Sequence, residues 1–242
     1  MRLLVDAGNT RIKWALARGD EWLASGALPT TEAAALPARF AEVPHIRDAR
    51  HISDAWVSNV AGDAVALALR DSVAADEWHF ISARERQCGV SNGYENPAQL
   101  GSDRWAALVA AWHMVGGRCL VVNCGTATTV DALSGEGEFL GGLILPGVEL
   151  MQRSLCGAAA QLEAGRGKYA EFPRNTADAM YSAAVQATCG AIERQRGLLG
   201  DAPVVLGGGA ADALRGRLKL PLRLEDNLVL QGLRLIARET TA

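Results

Sequence analysis

The chain has 242 residues, 49% of them apolar, enough to bury one large core or two small ones. Its formal net charge is −3 with no run of five or six like charges, so neither nucleic acid nor an anionic membrane is attracted by overall charge. Asp6, Asn9, Arg11 and Lys13 interrupt the apolar run a secretory signal needs, and no 18-residue apolar stretch occurs, so a cytoplasmic protein without a membrane span is expected. The five cysteines (Cys88, Cys119, Cys124, Cys156, Cys189) are odd in number and form no C-x-x-C pair. His45, His51, His79 and His113 lack metal-ligand spacing. Free thiols in a reducing compartment, and surface or core imidazoles, are the expected uses.

Arg2–Asp6 reads as a buried strand, Gly8-Asn9-Thr10 as a turn, and Ile12–Ala17 as the returning strand of a hairpin. Trp22–Leu28 is a third strand, and Thr31-Glu32 opens an alanine-rich helix toward Phe40. Asp54–Val60 reads as a strand, Asp63–Ala75 as a helix, and Trp78–Ile81 as a short strand. Glycine, asparagine and proline mark Gly89–Gly101 as a loop. Asp103–Val115 is predicted as an amphipathic helix with Trp105, Leu108, Val109 and Trp112 on one face. The pattern then recurs. Strands are expected at Cys119–Asn123, Thr128–Leu133 and Glu138–Leu143, and helical spacing at Gly147–Leu155. Asn175-Thr176 caps a long helix, Ala177 to about Leu198. Val204–Leu206 is a strand entering Gly207-Gly208-Gly209 and a helix; Leu222–Leu224 is a short strand, and Leu228–Arg238 a last helix. Two related α/β lobes, 1–115 and 116–242, are therefore expected.

Two glycine-threonine turns follow apolar strands, at Gly8-Asn9-Thr10 and Gly125-Thr126. Glycine lets backbone N–H groups approach an anion, and threonine adds a hydroxyl donor, so both turns suit phosphate. Asp6 can hold Mg²⁺ through water and Lys13 can meet a phosphate as a point charge. The plain alternatives, the lesser one for Asp6 and an equal one for Lys13, are that Asp6 caps a turn and that Lys13 is solvated. Thr126 at the turn is the best nucleotide contact among Thr126, Thr128 and Thr129, although threonine also simply suits strands. Gly207–Gly209 can let a nucleoside lie on the backbone or can serve a tight turn. Gly101-Ser102-Asp103-Arg104 sits where a loop becomes a helix. Arg104 can bind a carboxylate in two-pronged fashion, and Asp103 can accept a hydroxyl proton. A plain helix cap with a local ion pair accounts for the same four residues.

The ordered set Asp6–Trp14, Gly101–Trp105, Gly125–Asp131 and Gly141–Gly147, with Asn175-Thr176, resembles type III pantothenate kinase, a family of the acetate-kinase/sugar-kinase/Hsp70/actin superfamily. The resemblance covers almost the whole chain. It implies two ribonuclease-H-like lobes (the actin-like ATPase fold) with ATP in the cleft between them. It also implies a homodimer with the substrate site near the interface, and phosphorylation of pantothenate to 4′-phosphopantothenate on the way to coenzyme A. By that resemblance Asp6, Ala7, Gly8, Asn9, Thr10, Arg11, Ile12 and Lys13 contact ATP, Asp6 with Mg²⁺ through water, and Thr126 contacts the nucleotide. Asp103 matches the catalytic base. Tyr94, Gly101, Ser102, Asp103 and Arg104 match pantothenate contacts, and Thr176 matches one supplied by the dimer partner. The family usually has aspartate at the position of Asn123, where it binds K⁺ or NH₄⁺; an uncharged amide weakens that site. The competing readings are another small-molecule kinase of the superfamily and a non-catalytic ATP-binding regulator.

Overall fold

The computed structural model describes residues 1–41, 43, 51–158 and 167–241; His45 lies outside them. The chain divides into two compact units, Met1–Ala110 with Leu228–Ala242, and Ala111–Asn227.

In the first unit, β1 (Arg2–Ala7), β2 (Arg11–Arg18) and β3 (Glu21–Pro29) form an antiparallel meander, and β4 (Ile52–Asn59) and β5 (Ala75–Phe80) extend it in parallel, in the order β3-β2-β1-β4-β5. Successive side chains on a strand alternate faces. Leu3, Val5 and Ala7 therefore share a core with Ile12, Trp14, Leu16, Ala55, Val57 and Leu69. Leu4 and Asp6 take the opposite face, in register with Trp56 and Ser58 of β4. The final helix α7 (Leu228–Thr241) packs on β1, β2 and β4, so it belongs to this unit although it ends the chain. The sequence reading put it in a second lobe starting at 116; the compact units divide within α3 (Ser102–Val115) instead.

In the second unit, β8 (Cys119–Cys124), β9 (Ala127–Leu133) and β10 (Glu138–Pro146) form the meander, and β11 (Val204–Gly207) and β12 (Leu222–Leu224) lie parallel beyond β8. The order β10-β9-β8-β11-β12 repeats that of the first unit strand for strand. The helix α5 (Thr176–Leu198) places Val185, Cys189 and Ile192 against Leu120, Val122 and Val130. The helix α4 (Val148–Ala158) packs on α5.

Several elements differ from expectation for local reasons. The alanine-rich helix is a 3₁₀ stretch, Thr30–Ala35, followed by α1 (Leu36–Ala41). Proline is tolerated in a first helical turn but not inside a helix, and Pro37 marks the fresh start. The helix α2 (Asp63–Ser72) stops three residues early, because Val73 is already extended and its N–H returns to Leu69. The loop 89–101 contains β7 (Val90–Asn92), paired with β6 (Arg86–Gln87), and a 3₁₀ turn at Pro97–Gln99. The expected amphipathic α3 is instead buried all round from Trp105 to Ala110. Its alanines are contact surfaces: a Cβ on Gly232 of α7 would lie 1.9 Å from the Ala106 carbonyl oxygen.

That approach of α7 to α3 makes Gly232 a sharp test of the packing. Gly232→Ala is expected to lower stability by about 1–3 kcal/mol, the usual cost of overpacking. Urea denaturation measures it; an unchanged midpoint would mean the helices are not in backbone contact.

Candidate functional site

In the first unit the candidate residues collect at the carboxyl ends of β1 and β4, where ligands characteristically bind in α/β sheets. Asp6 pairs across the sheet with Lys13 of β2 on one side and with Ser58 of β4 on the other. The turn that follows is closed by the Gly8 N–H donating to the Arg11 carbonyl at 3.1 Å. Thr30, at the end of β3, clamps it from outside: its hydroxyl donates to the Gly8 carbonyl at 2.6 Å, and its N–H to Thr10 at 3.1 Å. Asn9, Thr10 and Arg11 are exposed at the tip, whereas Ala7 and Ile12 point into the core and offer only backbone to a ligand.

The first turn of α3 brings the second carboxylate. Asp103 Oδ1 accepts from the Arg104 N–H at 2.8 Å, and a Cβ on Gly101 would sit 2.6 Å from that oxygen. Glycine at 101 is therefore the residue that lets the carboxylate fold back over its own turn. Ser102 is buried, and its Oγ lies 2.9 Å from Ser58 Oγ. Arg104 is also buried; its Nη1 donates to the Tyr94 hydroxyl at 2.9 Å, and its guanidinium lies 5.6 Å from the centre of that ring. Tyr94, Gly101, Asp103 and Arg104 thus form one constellation, braced a turn later by Trp105 Nε1 donating to Gln87 at 3.0 Å.

Burial chiefly, and then the charge of Asp103, push the Asp6 carboxyl up to about 7, against a weaker pull from Lys13. A desolvated carboxyl repelled by a second one is a place where added positive charge is favoured.

In the second unit the corresponding edge is built of glycine and hydroxyl groups. Thr126 is exposed at the turn, while Thr128 and Thr129 are buried. The Gly147 N–H donates to the Thr126 carbonyl at 2.8 Å, and a Cβ at 147 would overlap the Gly125 carbonyl oxygen. Gly208, at φ +94°, lies equally close on Cys124, and the Ala210 N–H donates to the Cys124 carbonyl at 3.0 Å. Asn123 pairs with Thr129 and Gly207. Thr176 is exposed at the start of α5, whose cap is Asn175 accepting from the Asp178 N–H at 2.9 Å.

All five cysteines are free thiols. Burial pushes Cys124, beside the second turn, up to about 12, so it is no nucleophile at neutral pH. Among the described residues no group of three or more His, Cys, Asp or Glu side chains is placed to hold a metal, and no helix is long and apolar enough to cross a membrane. Trp14, Trp56 and Trp105 are buried, in keeping with core packing.

Sequence reasoning passed over Ser58, Thr30 and the packing role of Gly147. Ser58 carries no local signal, because only the β1–β4 register reveals it. Gly147 stands in a quoted motif, but the need for glycine there comes from a backbone twenty residues away.

Residues 2–197 match the family model described as type III pantothenate kinase. The type III pantothenate kinase of Nitrosospira multiformis is 49% identical over 248 residues, covering 99% of this chain and 92% of that protein. That of Aromatoleum aromaticum is 50% identical over 249 residues, covering 100% of each. Among solved structures, a Campylobacter jejuni protein assigned to the Baf family of transcriptional activators superposes with a TM-score of 0.63 at 19% identity, covering 99% of this chain and 98% of that one. A Porphyromonas gingivalis protein assigned as an N-acetylglucosamine kinase superposes at 0.55 with 13% identity, covering 99% and 100%. At such identities the superpositions establish the fold alone: α/β with two ribonuclease-H-like lobes, the architecture of the actin-like ATPases and sugar kinases.

The Asp6 carboxyl supplies a test that needs no substrate. A carboxyl raised from 3.8 to about 7 contributes stability in full below pH 4, and loses it as pH rises through 7. Asp6→Asn removes that loss. The melting temperature of the variant, relative to the parent, is expected to climb between pH 4 and pH 7 and then level off. A difference that does not vary with pH would show that Asp6 does not titrate there.

Proposed function

Because the chain belongs to the type III pantothenate kinase family, we propose that it transfers the γ-phosphoryl group of ATP to the primary hydroxyl of pantothenate, giving 4′-phosphopantothenate for coenzyme A synthesis. The observation that carries the residue assignment is that Asp6, at the carboxyl end of the central strand β1, feels the charge of Asp103 in the first turn of α3, with Lys13 beside the first and Arg104 beside the second.

Asp103 is the general base. It takes the hydroxyl proton as that oxygen forms its bond to the γ-phosphorus, and the bond to the β–γ bridging oxygen breaks to release ADP. Phosphoryl transfer asks mainly for positioning and charge neutralisation, with a weak acceptor for the proton. Arg104, preset by Tyr94, supplies the fork that suits the pantothenate carboxylate. Gly101 and Ser102 shape the turn that carries both side chains. The stretch Asp6–Lys13 binds the phosphates through the exposed Asn9, Thr10 and Arg11 and through the Lys13 charge, on a turn that the Gly8 N–H holds closed. Thr126 is assigned to the nucleotide by its motif.

Mg²⁺ fits the acidic edge: it is held by one or two carboxylates plus substrate phosphates, and the repulsion felt by Asp6 is what a divalent cation relieves. Asp6 would hold it through water, and there it would supply positive charge against the phosphates. Asn123 keeps one oxygen ligand for K⁺ or NH₄⁺ but no charge, so dependence on a monovalent cation is weak.

A homodimer, with Thr176 given to the partner's substrate site, is supported by apolar side chains exposed on the second unit. Leu140, Leu143 and Ile144 lie on β10, Leu150 and Leu155 on α4, and Phe172 is 89% exposed. A cytoplasmic location follows from the metabolic role proposed.

A coupled ADP-release assay with and without pantothenate tests the reading, and hexoses in its place test the alternative of a sugar kinase. Asp103→Asn is expected to lower kcat by about 10²–10⁴-fold, the range for losing general base help, with ATP binding little changed. Wild-type turnover from that variant would reject Asp103 as the base. Asn123→Asp is expected to make turnover respond to added K⁺ more strongly than the parent does; an identical response would remove residue 123 from any cation site.

A further inference from the structure

The hydroxyls of the buried pair Ser58–Ser102 are given no role in the transfer proposed above, yet they join α3, which carries Asp103, to β4, the strand beside the one that carries Asp6. Ser58 is fully buried near the end of β4, and the parallel β1–β4 ladder holds it level with Asp6. Ser102 is the residue before Asp103 in the first turn of α3, and the two Oγ atoms are 2.9 Å apart. A buried hydroxyl left without a partner is destabilising, so two serines facing each other bring a liability that two alanines would not. The link between them is what such a pair adds.

Each end of that link is rigid toward its own carboxylate. On the strand side, Asp6 is fixed relative to Ser58 by the sheet. On the helix side, Asp103 Oδ1 is tied to the Arg104 N–H and fills the space beside Gly101 where a Cβ would stand. Whatever shifts the first turn of α3 therefore carries the Asp103 carboxylate with it. Trp105, through Gln87, anchors the helix from another side.

We propose that Ser58 is a positioning residue for phosphoryl transfer, which through Ser102 sets the distance between the first turn of α3 and the row carrying Asp6 and Lys13. It touches neither substrate nor nucleotide. The proposal rests on the pantothenate kinase reading, since it needs Asp103 and Asp6 to serve opposite sides of one transfer. Misplacing a reacting group by an ångström slows a reaction without loosening the substrate, so the effect falls on kcat.

The experiment compares the parent with Ser58→Ala, Ser102→Ala and the double variant, by steady-state kinetics on ATP and pantothenate together with melting temperatures. Each single variant is expected to lower kcat about tenfold and to leave both KM values within about twofold. The double variant is expected to be no slower than the worse single one, because both changes break one link. Unchanged kcat, a loss confined to KM or to melting temperature, or multiplied effects in the double variant would overturn the proposal. Should Ser58→Ala fail to fold, Ser102→Ala against Ser102→Thr decides. Threonine keeps the hydroxyl and is expected to stay near the parental kcat, and a threonine variant as slow as the alanine one counts against the link. A parent that releases no ADP in response to pantothenate would sink the kinase reading and this proposal with it. An active parent with unaffected serine variants would sink the positioning role alone.

Discussion

The parallel pairing of β1 with β4 is the constraint on which the candidate site depends. It puts Asp6, Lys13 and Ser58 in one row across three strands. From that row the buried serine link reaches the first turn of α3, and hence Asp103. The price is electrostatic: Asp6 is short of water and within reach of another carboxylate, and its affinity for a proton rises accordingly. Isolated protein does not gain from such an arrangement. A carboxyl perturbed in this way is the property expected of a site that binds rather than stabilises.

The two units have the same strand order but divide the chemistry between them. Asn123 occupies in β8 the place Asp6 occupies in β1, next to last in the first strand of the meander. Asp6 has Lys13 and Ser58 as its cross-strand neighbours, and Asn123 has Thr129 and Gly207. Charge is thus concentrated at the first edge, and neutral donors with bare backbone at the second. A repeated scaffold gives two similar turns, while the residues at one matched row decide that only one of them holds acids. The fold supplies the positions, and the function lies in what occupies them.

Most strands were legible because buried strands carry continuous or alternating apolar runs bounded by glycine. Leu3–Val5 and Leu120–Val122 are such runs, and each ends at a glycine turn. The helix α3 was misread for the opposite reason. Its alanines look like filler beside Trp105, Leu108 and Val109, yet in a helix buried on every side alanine is what permits close approach, and Gly232 answers it from a distant part of the chain. The residues named for the first phosphate turn and for the Gly101–Arg104 turn were legible as motifs. What those motifs left open was which side chains are exposed: Ala7 and Ile12 face the core, and the Ser102 hydroxyl faces Ser58.

The second turn illustrates how glycine can fix a loop as firmly as a side chain does. Gly147 and Gly208 each bring backbone against backbone, on Gly125 and on Cys124, at separations no Cβ would allow. Hydrogen bonds from the Gly147 and Ala210 N–H groups close the same contacts. The turn at Thr126 is therefore held by backbone set against backbone. Any larger residue at 147 or 208 would have to move the turn, and with it the Thr126 side chain. At 208 the positive φ already asks for glycine, whereas at 147 the demand comes only from the placement of its neighbours, which explains why local turn rules, applied to 147 alone, do not predict it.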